Sequence, residues 1–264
     1  MLPYPHLKPY FLKIGNLEFK WYGLAYALGF LLEYLFLKHF SRQKKIRLSE
    51  NDILDLLLAG FIGVVVGGRL GYVLIYNLAY FLAHPLKIPA VWEGGMSFHG
   101  GLMGTILALL IYDKLKGFKL GDYLDWVIIP APLGIALAKL GNFINGELIG
   151  RATNLPWCMQ FSSTDLICRH PSSLYEASKD ILIFLILFSL RNKKLPAGFL
   201  VWLFLTLYGL LRFTVEFLRE PDVQLGFIFG PLTMGQLLSL PMFVIGVGGM
   251  LWCIKRLESK KQSL

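Results

Sequence analysis

Apolar residues run along this chain in seven long segments, near residues 21–38, 53–77, 97–112, 123–139, 174–190, 198–217 and 233–254. Polar and charged residues gather in the short connections between them. Most segments approach the ~20 residues that carry an α-helix across a bilayer. The third to fifth are short or interrupted, the fourth by Pro130 and Pro132, so their ends are soft. The pattern predicts an all-α polytopic membrane protein of about seven transmembrane helices, built as one membrane-embedded domain over residues 1–264. Residues 140–173 carry little apolar periodicity and form a small head between the fourth and fifth spans.

Composition agrees: 55% of the residues are hydrophobic and 16% charged, with mean hydropathy +0.57. A soluble domain has ~25% charged residues. The net charge of +9 raises nucleic acid as a partner. The Lys and Arg residues nevertheless lie in short clusters between apolar runs, not in a basic stripe with aromatic platforms, so no nucleic acid is expected. Their distribution sets orientation instead. Alternate connections hold 15 of them, including Arg42, Lys44, Lys45, Arg47, Lys114, Lys116, Lys193 and Lys260, against 7 on the opposite side. The expected N-terminus is therefore outside, the C-terminus cytoplasmic and the head outside. The first apolar run precedes the stronger positive cluster, the reverse of a signal peptide.

Charged groups inside a bilayer are costly, and each is a candidate for function. In "GFIGVVVGGRLGY", Gly63, Gly67 and Gly71 recur every four residues as a face for close helix packing. Arg69, towards the outer end of that span, fits a structural ion pair or snorkelling as well as a binding role. His99 opens the third span within "EGGMSFHGGLMG", where glycines permit close approach. Its imidazole is suited to proton transfer near neutral pH, or simply to an interfacial hydrogen bond. Tyr208, Arg212 and Glu216 are spaced by four and share one helical face. An Arg–Glu pair that merely holds the bundle together would account for part of that triplet.

The stretch "AKLGNFINGELIGR" ends the fourth span. Lys139, Asn142, Asn145, Glu147, Gly150 and Arg151 supply cations, amides and a turn whose backbone N–H groups would cradle a phosphate. Asn and Gly equally serve plain turns. Asp125 lies fourteen residues before Lys139, ~21 Å away along a helix, where an acid suits a helix N-terminus. With Tyr22, these side chains make a polar cluster towards the outer leaflet. The chain carries no G-x-S-x-G, H-E-x-x-H or P-loop pattern, and no motif calls for a metal or cofactor. A lipid-headgroup transferase fits this set. A transporter would be expected to show inverted repeats, and an intramembrane hydrolase would rest on Ser97 or Ser172 without a supporting base.

At these residues the chain resembles the bacterial prolipoprotein diacylglyceryl transferase family. The matching runs are "KWYG", "GGRLGYV", "GGMSFHGGL", "GNFINGELIGR", "RHPSSLYE" and "YGLLRFTVEFLREPD", in that order. The resemblance implies a multi-pass enzyme of the bacterial inner membrane, with its active site towards the outer leaflet. It implies transfer of a diacylglyceryl group from phosphatidylglycerol to the thiol of a lipobox cysteine in a prolipoprotein signal peptide. It implies functional positions at Tyr22, His99, Asn142, Gly150, Tyr208, Arg212 and Glu216, and at Asp125 and Glu147. The position of Lys139 resembles one where the family commonly has an arginine that contacts the lipid phosphate. Lysine keeps the charge without the planar fork. Cys158 and Cys168, both in the head, are candidates for a disulfide; Cys253 shows no metal-binding spacing with either.

Overall fold

The structure, a computed structural model, describes residues 2–5, 7–15, 17–161, 166–221 and 226–262. Asp222, the last residue of the run that starts at Tyr208, lies outside them, as do the side chains of Lys260 and Lys261.

The long helices follow the apolar segments. They are α1 (Trp21–Arg42), α2 (Glu50–Gly71), α4 (Phe98–Lys116), α6 (Ala131–Ile144), α7 (Ser172–Leu190), α8 (Phe199–Glu216) and α9 (Met234–Gln262). Two short helices, α3 (Leu78–Ala83) and α5 (Leu124–Val127), complete the series. Segments Glu50–Tyr76, Leu124–Ile144, Phe199–Glu216 and Met234–Ser259 are long and apolar enough to cross a membrane, which makes this a multi-pass membrane protein. The fourth apolar segment is broken where Pro130 and Pro132 leave backbone acceptors without N–H partners, so α5 stops and α6 begins anew. The second extends through a π-helical turn, Tyr72–Tyr76.

The fold is not purely helical. Strands β1 (Tyr10–Ile14) and β2 (Leu17–Lys20) form an antiparallel hairpin, with Lys13 opposite Glu18. Strands β3 (Phe227–Phe229) and β4 (Leu232–Thr233) form another ahead of α9. Both were missed because their alternation is too short to stand out beside the helical runs.

Contacts group the chain into two compact units. One holds the residues through Phe36, Leu124–Pro221 and those from Phe227 onward; the other holds Leu37–Tyr123. The division falls inside α1. In the second unit, α2 starts at a capping box: Asp52 N donates to Ser49 Oγ at 3.2 Å and Ser49 N to Asp52 Oδ2 at 2.9 Å. The unit's core is the α2–α4 contact, and the expected glycine face makes it. A Cβ on Gly67 would stand 2.6 Å from Gly104 Cα, and one on Gly71 2.7 Å from Gly100 Cα. No side chain fits there, so the two backbones touch.

In the first unit, Phe36 of α1 packs edge-on against Phe184 and Phe188 of α7, with centroids 5.6 and 6.0 Å apart. The segment between α6 and α7 is held by short backbone bridges. Ala152 and Met159 both pair with Arg169, and Gly150 pairs with Arg219. Cys158 and Cys168 form a disulfide with Cα atoms 5.4 Å apart, as their placement in the head had suggested.

Candidate functional site

Three helices of the first unit bring charge into a buried cluster. Lys139 comes from α6, Glu176, Lys179 and Asp180 from α7, and Tyr208, Arg212 and Glu216 from α8. The spacing of four on α8 does what it predicted: Tyr208, Arg212 and Glu216 are all buried, at 0%, 5% and 2% exposure. Lys139 Nζ lies 2.6 Å from Glu176 Oε2, and Arg212 Nη1 lies 3.9 Å from Glu176 Oε1. Arg212 also pairs with Glu216 one turn on, and Arg219 Nη1 stands 3.7 Å from the same carboxylate. Thr233 Oγ1 donates to Glu216 Oε1 at 2.8 Å. Gly235, at the start of α9, is required by this packing, because a Cβ there would stand 2.6 Å from Glu216 Oε1 and 3.0 Å from Arg212 Nη2.

Deeper along α7, Lys179 donates to Asp180 Oδ1 at 2.6 Å, and its ammonium lies 4.0 Å from the centre of the Tyr208 ring. Four cations (Lys139, Lys179, Arg212, Arg219) thus meet three carboxylates (Glu176, Asp180, Glu216). Buried charge is tolerated only when paired, and here cations from α6, α7 and α8 share the carboxylates of Glu176, Asp180 and Glu216.

The turn after α6 is built differently from the expectation of an open N–H cradle. Asn145 N donates to Gly141 O, Glu147 N to Asn142 O, Gly150 N to His170 O and Arg151 N to Leu218 O, all within 2.9–3.1 Å. Those donors are spent inside the protein, as backbone groups in a folded turn usually are. What the turn contributes is order. Asn142 Nδ2 and Asn145 Nδ2 donate to the two oxygens of Glu147 at 2.8 and 3.1 Å, and Ser173 Oγ donates to Glu147 O at 3.0 Å. Gly150 fits where a Cβ would stand 2.8 Å from Leu218 O. Arg151 Nε donates to Arg219 O at 2.9 Å, which ties the turn to the end of α8. Tyr22 packs on α6 at Gly141, where a Cβ would be 3.3 Å from Tyr22 Cα, and its hydroxyl lies 3.1 Å from that of Tyr26.

Two candidates make contacts that hold the fold. Arg69 is 5% exposed and its guanidinium is occupied by backbone carbonyls. Nε donates to Ile88 O at 2.7 Å, Nη2 to Lys87 O at 2.7 Å, and Nη1 to Gly94 O at 2.5 Å and Gly95 O at 3.2 Å. It braces the connection between α3 and α4 through carbonyls, neither the ion pair nor the snorkelling that the sequence had left open. Asp125 does suit a helix N-terminus, but that of α8 and not its own. Its carboxylate accepts from Gly198 N at 2.7 Å, Leu200 N at 2.9 Å and Val201 N at 3.2 Å. His99 lies in the second unit, in the first turn of α4, half-buried with its ring edge-on to Phe98. The two serines weighed for a hydrolase have structural tasks: Ser97 caps α4 by accepting from Gly100 N at 3.2 Å, and Ser172 donates to Leu148 O.

A model of the prolipoprotein diacylglyceryl transferase family matches residues 9–252. The chain belongs to that family. Relatives named phosphatidylglycerol–prolipoprotein diacylglyceryl transferase agree over nearly full length. The chain is 49% identical to one from Geobacter sulfurreducens over 247 residues, 93% of this chain and 95% of the relative. It is 46% identical to one from Vibrio vulnificus, over 97% and 94% of the two chains, and 44% identical to one from Coxiella burnetii, over 98% and 100%. Among these transferase candidates, sequence reasoning passed over Glu176, Lys179 and Asp180. The signal was present: three charges in the first nine residues of an apolar helix, each of them costly in a bilayer.

Proposed function

We propose that this protein transfers the diacylglyceryl group of phosphatidylglycerol to the lipobox cysteine of prolipoproteins, with Lys139 and Arg212 receiving the lipid phosphate. The observation that carries this is the buried cluster in which Lys139 and Arg212, from two helices, converge on Glu176, beside the turn Asn142–Arg151. The cysteine thiolate attacks the glyceryl carbon bonded to the phosphate oxygen. The carbon–oxygen bond breaks, a thioether forms, and glycerol phosphate leaves with the electron pair. Charge grows on the departing phosphate oxygen, where preset cations stabilise it most. A free thiol has a pKa of ~8.5 and must lose its proton first. His99 is one candidate to accept that proton, and stabilisation of the thiolate by a cation is the other. Asn142, Asn145 and Glu147 order the turn, Gly150 lets it pack, and Arg151 anchors it to α8. Tyr22, Tyr208 and Glu216 shape and orient the cation set. Arg69 and Asp125 we assign to the scaffold.

The seven long helices support a seven-span enzyme of the bacterial inner membrane. Both units serve one transferase, with the N-terminus outside and the site towards the outer leaflet, as the distribution of Lys and Arg argues. Purified protein, phosphatidylglycerol vesicles and a lipobox peptide provide the test. The expected result is stoichiometric glycerol phosphate and a peptide heavier by one diacylglyceryl group. Folded protein that yields neither would sink the reading.

A further inference from the structure

We infer that Glu176 is a positioning residue, the shared counter-anion that aims Lys139 and Arg212 at one point. This rests on the transferase reading above. Glu176 is 1% exposed and comes from α7, whereas the two cations come from α6 and α8. Its Oε2 lies 2.6 Å from Lys139 Nζ and its Oε1 3.9 Å from Arg212 Nη1, so each oxygen faces a different helix. A carboxylate buried on this scale costs several kcal/mol unless its partners are well placed. Here the partners are the two groups assigned to the phosphate.

The geometry matters more for a lysine than it would for an arginine. An ammonium on a four-carbon stem has no fixed fork and takes its direction from its partner. Lys139 has a flexible stem, and the close contact with Glu176 gives its ammonium a fixed direction. Arg212 is already held by Glu216 on its own helix, so Glu176 sets its distance from Lys139. Without the carboxylate, two like charges would face each other and separate. Phosphate binding would survive, because the cluster would be more positive. Alignment on the departing oxygen would not.

That contrast gives a split a simple scaffold role does not produce. In Glu176→Gln the kcat for glycerol phosphate release falls about 10- to 100-fold, while KM for phosphatidylglycerol does not rise. Glu176→Asp keeps the charge with a shorter reach and recovers part of kcat. Thermal melts of the detergent-purified variants normalise both constants to folded protein. A Glu176→Gln enzyme with wild-type kcat, or one whose only change is a higher KM, overturns the inference.

Acylation of Lys139 by an amine-reactive ester, read by peptide mass spectrometry, supplies an independent arm. The paired ammonium of the wild type reacts slowly, and Glu176→Gln speeds its labelling. Equal labelling in the two proteins overturns the pairing whether or not either is active. Wild-type protein that labels as expected but releases no glycerol phosphate contradicts the transferase reading and leaves the pairing supported.

Discussion

The α2–α4 contact and the α6–α7–α8 contact both pack helices in apolar surroundings, by opposite chemistry. Gly63, Gly67 and Gly71 carry no side chains into the first, so that backbones meet those of Gly100 and Gly104. Lys139, Glu176, Arg212 and Glu216 put charges into the second and satisfy them across three helices. The glycine contact gains dispersion and close fit and has nothing to offer a ligand. The ionic contact is harder to bury and holds buried cations that a phosphate could meet. Rigidity is supplied in one place and reactivity in the other.

Substitution tests that contrast, beginning with the largest effect. Gly67→Val drives a branched side chain into the backbone at Gly104, and almost no folded protein is expected from detergent extraction. A well-folded variant would show that the helices separate freely. Arg212→Lys keeps the charge but loses the fork between Glu176 and Glu216. Glycerol phosphate release should fall ~10²–10³-fold, the usual cost of removing one preset donor, while the protein still folds. Activity near wild type would show that charge alone suffices.

Asp125→Ala removes the cap from α8. It should lower stability by ~1–2 kcal/mol and leave the kcat of the folded fraction unchanged. A collapse of kcat with an unaltered melt would instead give Asp125 a chemical role. The smallest effect is one of pH. Burial holds the His170 ring below its ordinary value, so the unfolded chain takes up a proton at higher pH than the folded one. That contribution to stability is complete above the unfolded pKa of ~6.5 and declines as pH falls below it. Thermal melts at neutral and mildly acidic pH should show the decline, and His170→Asn should remove that part of it.

How much of this was legible beforehand follows the same contrast. Periodicity of apolar residues placed the long helices, and the four-residue glycine spacing named the α2 face that packs. Both are local signals. The Tyr208–Arg212–Glu216 face was equally local and emerged as read. Glu176 was visible as a charge in an apolar helix, but its partners depend on which helices flank α7, and a single chain does not display that. Asp125 shows the same limit: an acid at a helix start was the right idea, but the helix start belongs to α8. Arg69 could be weighed but not decided, since its carbonyl partners at Lys87, Ile88, Gly94 and Gly95 lie in irregular backbone. At the turn Asn142–Arg151 the cradle and the plain turn stayed equally open in the sequence, because the hydrogen bonds that decide between them run to His170 and Leu218, distant in sequence.

Lys139 tests the central claim most directly, because its charge and its shape are separable. Glycerol phosphate release from phosphatidylglycerol vesicles and a lipobox peptide is measured for wild type, Lys139→Arg and Lys139→Ala, each normalised to folded protein. The account predicts that arginine retains transfer and alanine loses it ~10²-fold or more. An alanine variant as active as the wild type would contradict the assignment of the buried cations to the lipid phosphate.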